Sequence, residues 1–266
     1  MTGKLALIVG SGDLPAHVAG GLATPPVICV LEGNTPNDLA ADLTFRVETL
    51  GTLLQALAVR SVTHVCFCGT IDRPVIDPAR LDAATLPLVP TLMAAAQAGD
   101  DAALAAVAQI FAQAGFALVG AHEVVPDLAI ASGVLTSTGP SEQMQADVTR
   151  GLAVLDALAP LDVGQACVVG QGQVLGIETI GGTDAMLRTL PDVVQRAGAV
   201  LIKAPKQGQD LRTDMPTIGP RTIAAVQAAG LAGIAVQAGA VILLDPDNSV
   251  AEADAAGLVL WSFDRD

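Results

Sequence analysis

Short apolar runs and helical-period stretches alternate along the first half of the chain. Leu5–Val9 reads as a buried strand, closed by Gly10-Ser11-Gly12, with a helix from about Leu14 onward. Pro25 and Pro26 introduce a second strand, Val27–Leu31. Further strands are expected at Leu43–Val47 and His64–Cys68, with a helix over Leu53–Val59 between them. A longer helix starts at Asp100-Asp101, carries Leu104, Val107, Phe111 and Ala114 on one face, and stops at Gly115. Phe116–Gly120 follows as a strand. Such a βαβ progression predicts a parallel sheet.

The pattern changes at residues 132–141, a Ser/Thr/Gly/Pro stretch that reads as a linker. Domains are therefore expected over 1–133 and 141–266. Beyond the linker a helix is expected over Glu142–Leu158, with Met144, Val148, Leu152 and Leu155 along one side. Two strands flank the turn Gly170-Gln171-Gly172, and a strand Ala199–Lys203 opens onto an irregular charged loop that ends at Pro220. A helix over 221–229, the run Gly233–Leu244 and a last αβ unit complete a second α/β domain.

Composition narrows the class. A chain of 266 residues is comfortable for two domains, and 52% hydrophobic against 15% charged residues excludes disorder. With five Phe, one Trp and no Tyr, the core must be built from Ala, Val, Leu and Ile, which suits a parallel sheet under small-residue helices. The formal charge of −14 excludes nucleic acid as a partner and opposes adsorption to anionic headgroups through a general basic patch. Three of the four cysteines (Cys29, Cys66, Cys68 and Cys167) fall in strand-like stretches, and none has zinc-site spacing, so they read as reduced, buried thiols. The N-terminal apolar run is a first strand rather than a signal peptide. The greasiest stretch, Leu231–Leu244, is interrupted by Gly233, Gln237 and Gly239. A soluble, cytosolic protein is expected.

Several motifs have chemical as well as structural readings. Gly10-Ser11-Gly12-Asp13-Leu14-Pro15, between strand and helix, would let backbone approach a diphosphate, but Pro15 replaces the third glycine of a dinucleotide fingerprint, and a tight structural turn explains it equally well. Glu32 stands where a ribose-binding acid would sit. Gly69-Thr70-Ile71-Asp72-Arg73 leaves a strand's carboxyl end, where Thr70 and Arg73 could meet phosphate; a surface turn is the plainer reading. Asp100-Asp101 is accounted for by helix capping, though Asp101 could serve a cation beside a phosphate. His122-Glu123 is more often a surface pair than a catalytic one, yet it again follows a strand.

The segment from Lys203 to Arg221 is the sharpest signal. Two of only three lysines, Lys203 and Lys206, lie in it with Arg212 and Arg221. Against Asp210 and Asp214 these four cations leave a formal +2 inside a −14 chain. Phosphate binding with a metal-holding carboxylate pair accounts for that concentration. Two functions remain open from the residues alone. One is Mg²⁺-assisted phosphoryl chemistry on a nucleotide diphosphate. The other is a Rossmann-type oxidoreductase or a non-catalytic nucleotide-binding module. The cationic loop, far from the glycine turn, favours the first.

With these residues in view, the chain resembles the metal-dependent UDP-2,3-diacylglucosamine pyrophosphatases of Gram-negative bacteria, the type unrelated to calcineurin-like enzymes. The resemblance runs through GSGDLP (10–15), GTIDRP (69–74), GDDAAL (99–104), GAHEVVPDL (120–128), DVGQACVV (162–169), GGTDAML (181–187), VLIKAPKQGQDLRTDMPTIGP (200–220) and AGLAGIAVQAG (229–239). It implies a Rossmann-like, UDP-binding N-terminal domain and a C-terminal domain for the acylated sugar phosphate. It also implies Mg²⁺-dependent attack of water on the β-phosphate, giving UMP and 2,3-diacylglucosamine 1-phosphate (lipid X) in lipid A biosynthesis. Gly10, Ser11, Gly12 and Leu14 would meet the nucleotide, and Gly69, Thr70, Arg73 and His122 neighbouring groups. Lys203, Lys206, Gln209 and Arg212 would hold the diphosphate and sugar phosphate. Asp210 and Asp214 would be the catalytic acids and, with Asp101, the metal ligands. A cytoplasmic enzyme, at most peripheral at the inner membrane, is implied, and a homo-oligomer is left open. One departure stands out. The first turn after Pro220 is expected to be acidic, but carries Thr222-Ile223-Ala224-Ala225, which predicts substrate binding with slow turnover.

Overall fold

The computed structural model describes residues 3–71, 74–97 and 99–265. They divide into two compact units, one running up to Pro126 and taking in Asp210–Asp214, the other comprising Asp127–Gln209 and Met215 onward.

In the first unit the elements are β1 (Lys4–Val9), α1 (Leu14–Gly20), β2 (Val27–Leu31), β3 (Leu43–Phe45), α2 (Leu50–Val59), β4 (Val62–Cys68), α3 (Val89–Ala96), α4 (Asp100–Gln113), β5 (Ala117–Leu118) and α5 (Ala121–Val124). The five strands form one parallel sheet in the order β3-β2-β1-β4-β5, a Rossmann-like arrangement. β1 and β2 are buried along nearly their whole length, which is why their sequences are unbroken apolar runs rather than alternating ones. The core joins Ile8, Cys29, Leu57, Val65 and Phe111, with Phe67 and Phe111 edge-to-face at 5.3 Å. α4 closes at Gly115, whose φ of +94° takes the left-handed stop that glycine allows. Its N-cap is Gly99, so Asp100 and Asp101 occupy the first helical turn rather than the cap itself. β5 is shorter than Phe116–Gly120 because the chain turns into α5 at Gly120.

The second unit contains β6 (Gly133–Val134), α6 (Glu142–Leu158), β7 (Ala166–Gly170), β8 (Gln173–Ile177), α7 (Gly182–Arg188), β9 (Val200–Lys203), β10 (Thr217–Ile218), α8 (Pro220–Ala228), β11 (Gly233–Gln237), β12 (Ile242–Leu243), α9 (Pro246–Ala255) and β13 (Val259–Phe263). Its six-stranded sheet, β6-β13-β11-β9-β7-β8, is mixed: β9, β11 and β13 are parallel, while β7, β8 and β6 run against their neighbours. The reversal between β7 and β8 follows from a two-residue hairpin in which Gln171 and Gly172 both take positive φ, 51° and 77°. Asp147, fully buried on α6, clamps that turn by accepting from the N–H groups of Gln171 (3.0 Å) and Gly172 (2.6 Å). β10 and β12 make a separate parallel pair.

Residues 132–141, linker-like in composition, are knitted into this unit. β6 pairs with β13, Thr136 Oγ1 accepts from Leu260 N–H (3.0 Å), and Ser137 donates to Asp254. All four cysteines are buried thiols, and burial pushes Cys29 and Cys167 up to about 12, so neither is a thiolate near neutrality. No helix among the described residues is long and apolar enough to cross a membrane.

Candidate functional site

In an open α/β sheet the crevice forms where neighbouring strands send their connections to opposite sides. In the first unit that place is beyond the carboxyl ends of β1 and β4. Gly10 N–H donates to Cys68 O (2.9 Å), and Ser11 and Thr70 then exchange backbone hydrogen bonds of 2.7 and 2.9 Å. The two glycine motifs singled out in the sequence are thus zipped side by side past the strand ends. Their glycines have steric reasons. A Cβ on Gly10 would lie 2.3 Å from the Thr70 carbonyl oxygen, and Gly69, at φ +89°, would carry one 2.8 Å from that of Ser11. Gly12, at φ +98°, faces open space, so a ligand can approach its backbone. Gly10→Ala is expected to cost about 2 kcal/mol of stability, the usual scale for overpacking, measurable as a lower urea midpoint with unchanged slope.

The Ser11 side chain ties two loops together. Its hydroxyl donates to Asn34 Oδ1 (3.3 Å) and accepts from Thr35 N–H (3.1 Å), which holds the loop after β2 against the glycine turn. Leu14 opens α1, with Pro15 in the first turn. Glu32, at the end of β2, is bound at 2.6 Å by Arg46, which also pairs with the buried Glu48. Burial alone would raise Glu48, but the Asp77 N–H and the Arg46 guanidinium hold it below the ordinary carboxylate range. The acid placed for a ribose therefore already has a cation on it. Arg73 lies outside the described residues.

At the other side of β4, α5 begins on Gly120, whose N–H is accepted by Glu123 (2.6 Å). A Cβ on Gly120 would meet both His122 Nδ1 (2.7 Å) and the Arg212 Cα (3.2 Å), so these three residues are packed together. His122 Nδ1 is buried with no hydrogen-bond partner among the described residues. Arg212 grips Asp210 through Nε (2.9 Å) and a terminal nitrogen (2.7 Å), and its backbone N–H adds a third bond to the same carboxylate. These bonds lower the Asp210 pKa and raise that of Arg212, though both side chains are substantially exposed and the pair adds little stability. Asp214 N–H closes a turn onto Asp210 O (3.2 Å), and Asp101 stands in the first turn of α4.

Lys203, Lys206 and Gln209 belong to the second unit, so the cationic segment is shared out between the two. Lys206 Nζ pairs with Asp162, a residue in the left-handed region at φ 55°. Gln209 Oε1 accepts from Lys206 N–H (2.9 Å) and fixes the loop. Lys203 ends β9 in the middle of the sheet, between β7 and β11, and is only 7% exposed. Its Nζ donates to Thr183 Oγ1 (3.0 Å), and among the described residues it forms no ion pair. A buried ammonium with donors to spare is chemically able to receive an anion. Arg221, by contrast, is exposed and 3.5 Å from Asp184.

Ala224 is exposed on α8, while Ala225 packs against the cluster of Ile223, Val226, Ile234 and Leu260. Gln237 accepts from Arg265 (3.4 Å), which also pairs with Asp156. Asp162, Thr183 and Glu178 escaped the residue-by-residue reading, although the first two lie inside blocks that carried the resemblance.

Residues 4–128 match the family model described as the LpxI N-terminal domain, and residues 131–261 match that of the LpxI C-terminal domain. The chain is also 36% identical over 273 residues to UDP-2,3-diacylglucosamine pyrophosphatase LpxI of Caulobacter vibrioides, spanning 98% of each sequence.

Proposed function

The chain belongs to the LpxI family, and from that premise we propose that it hydrolyses the diphosphate of UDP-2,3-diacylglucosamine, as a step of lipid A biosynthesis. The observation that carries this reading is the continuity of the match through both units, glycine crevice and cationic segment alike. A Rossmann-type oxidoreductase would not account for the match of residues 131–261 to the LpxI C-terminal domain. Incubating the purified chain with UDP-2,3-diacylglucosamine should release UMP; no UMP above a boiled control would end the proposal.

The residues divide the work as follows. The backbone at Gly10, Gly12, Gly69 and Thr70 takes the uridine nucleotide at the switch point of the parallel sheet, with His122 and Arg212 beside it. Lys203 and Lys206 neutralise phosphate oxygens, Lys203 from a buried position where its charge acts through low dielectric. Asp214 orients and deprotonates the attacking water, with Asp210 held ready by Arg212. Water attacks the β-phosphorus, so the leaving group is UMP and the oxygen from water ends in 2,3-diacylglucosamine 1-phosphate. In ¹⁸O-water the label should appear in the sugar phosphate; label in UMP would place the attack on the α-phosphorus.

Mg²⁺ takes hard oxygen ligands, commonly one or two carboxylates completed by phosphate and water. Asp101, Asp210 and Asp214 are of that type, yet no three-ligand His/Cys/Asp/Glu cluster exists among the described residues, and Asp210 is held by Arg212. The donors fit an ion that arrives with its diphosphate rather than a preformed cage. Bound to those carboxylates, it would offset charge on the departing phosphate. Exhaustive EDTA treatment should lower turnover about 100-fold, restored by Mg²⁺. The working compartment is the cytoplasm, with peripheral contact at the inner membrane where a diacylated substrate resides.

A further inference from the structure

We propose that Thr183 and Glu178 are positioning residues for Lys203, joined to it in a buried, one-directional hydrogen-bond chain. This rests on the reading of Lys203 as a phosphate-binding residue.

The direction of the chain is fixed by what each group can do. An ammonium only donates and an ionised carboxylate only accepts. Lys203 Nζ must therefore donate to Thr183 Oγ1 (3.0 Å), and the single Thr183 proton must go to Glu178 Oε1 (2.5 Å). The other carboxylate oxygen, Oε2, accepts from Gln165 N–H (2.8 Å), and Glu178 N–H donates to Ala166 O (2.9 Å). Glu178 and Lys203 are each 7% exposed, so neither end is a solvated surface group. Gly164 is pressed against Glu178: a Cβ there would come 2.2 Å from its carbonyl oxygen, which locks the acid's backbone.

The hydroxyl spacer matters for function. A Glu in direct contact with Lys203 would be a closed ion pair, and an incoming phosphate would have to compete with it. Placing Thr183 between them delivers part of the carboxylate's field to the lysine while leaving the remaining ammonium protons unspent. Polarisation along the chain strengthens each bond and fixes the Lys203 rotamer. The lysine is thereby aimed before substrate arrives, so its binding energy goes to the developing charge rather than to ordering a flexible side chain.

Thr183→Val keeps the shape and removes the hydroxyl. On the full-length protein it should lower kcat about 10- to 100-fold, the range for partners that orient a functional group, with KM changed far less. Thr183→Ser should restore most of that loss, which a purely packing role for the threonine methyl would not do. Glu178→Gln supplies an independent arm, because an amide has one acceptor oxygen where the carboxylate has two, and it can accept from Thr183 Oγ1 or from Gln165 N–H but not from both. Lys203→Met is run beside them, with thermal midpoints for all four. Loss of turnover in Lys203→Met, Thr183→Val and Glu178→Gln, with recovery in Thr183→Ser, supports the chain. Wild-type kcat in both Thr183→Val and Glu178→Gln beside an inactive Lys203→Met overturns it and leaves the phosphate reading standing. Equal loss in Thr183→Ser and Thr183→Val also overturns it. Full turnover by Lys203→Met removes the phosphate reading, and the positioning role with it.

Discussion

Lys203→Met should lower kcat/KM about 1,000-fold, the scale found for removing one preorganised donor from a developing oxyanion. Methionine nearly matches the length and volume of the lysine stem, so packing between β7 and β11 should survive the change. What is lost is one buried charge and its donors. Stability should fall as well, because Thr183 Oγ1 loses the donor it accepts from and the buried Glu178 carboxylate loses the cation one hydroxyl away. Activity is therefore to be measured well below the variant's thermal midpoint. Lys206→Met should be milder, since the Lys206 charge is already paired with Asp162 and must divide itself between that partner and substrate. The measurement is steady-state UMP release by both variants. A Lys203→Met enzyme within about threefold of wild type, a difference of under 1 kcal/mol, would assign the anion to Lys206 and Arg212 instead.

The elements legible in the sequence were those whose burial is uniform. β2 and α6 occur at the expected residues, the first because both faces are covered, the second because Ser141 caps it and Met144, Val148 and Leu155 repeat at helical spacing. The parallel order of the first sheet followed from alternation of element types. The mixed character of the second sheet did not, since nothing in the apolar runs of β7 and β9 encodes direction; the Gln171-Gly172 hairpin does. At the crevice the glycines announced themselves, whereas the tie that the Ser11 hydroxyl makes to the loop after β2, through Asn34 and Thr35, had no signal in the sequence. The cationic concentration from Lys203 to Arg221 was visible as charge, yet charge alone does not distinguish a buried ammonium such as Lys203 from an exposed Arg221. Glu178 was invisible because a single acid after a strand has no pattern; only its bonds to Thr183 and Gln165 mark it.

The absent acid on α8 is where sequence and structure lead to different experiments. By resemblance, a carboxylate after Pro220 would sit at the helix start, and its absence predicts a slow enzyme that Ala225→Asp should rescue. The structure places Ala225 partly buried against Ile223, Val226 and the apolar core beneath α8, where a carboxylate would lose part of its water. Ala225→Asp is therefore expected to destabilise the fold by about 2–3 kcal/mol and to leave kcat unimproved. Ala224, exposed one residue earlier, provides the control: Ala224→Asp should stay within about 0.5 kcal/mol of the parent. Urea unfolding and UMP release on the three proteins decide the matter. If the parent turns over readily and neither substitution raises its rate, acid chemistry rests with Asp210 and Asp214 on the other unit. A rate increase of tenfold or more in Ala225→Asp, with stability unchanged, would show instead that the helix had lost a working carboxylate.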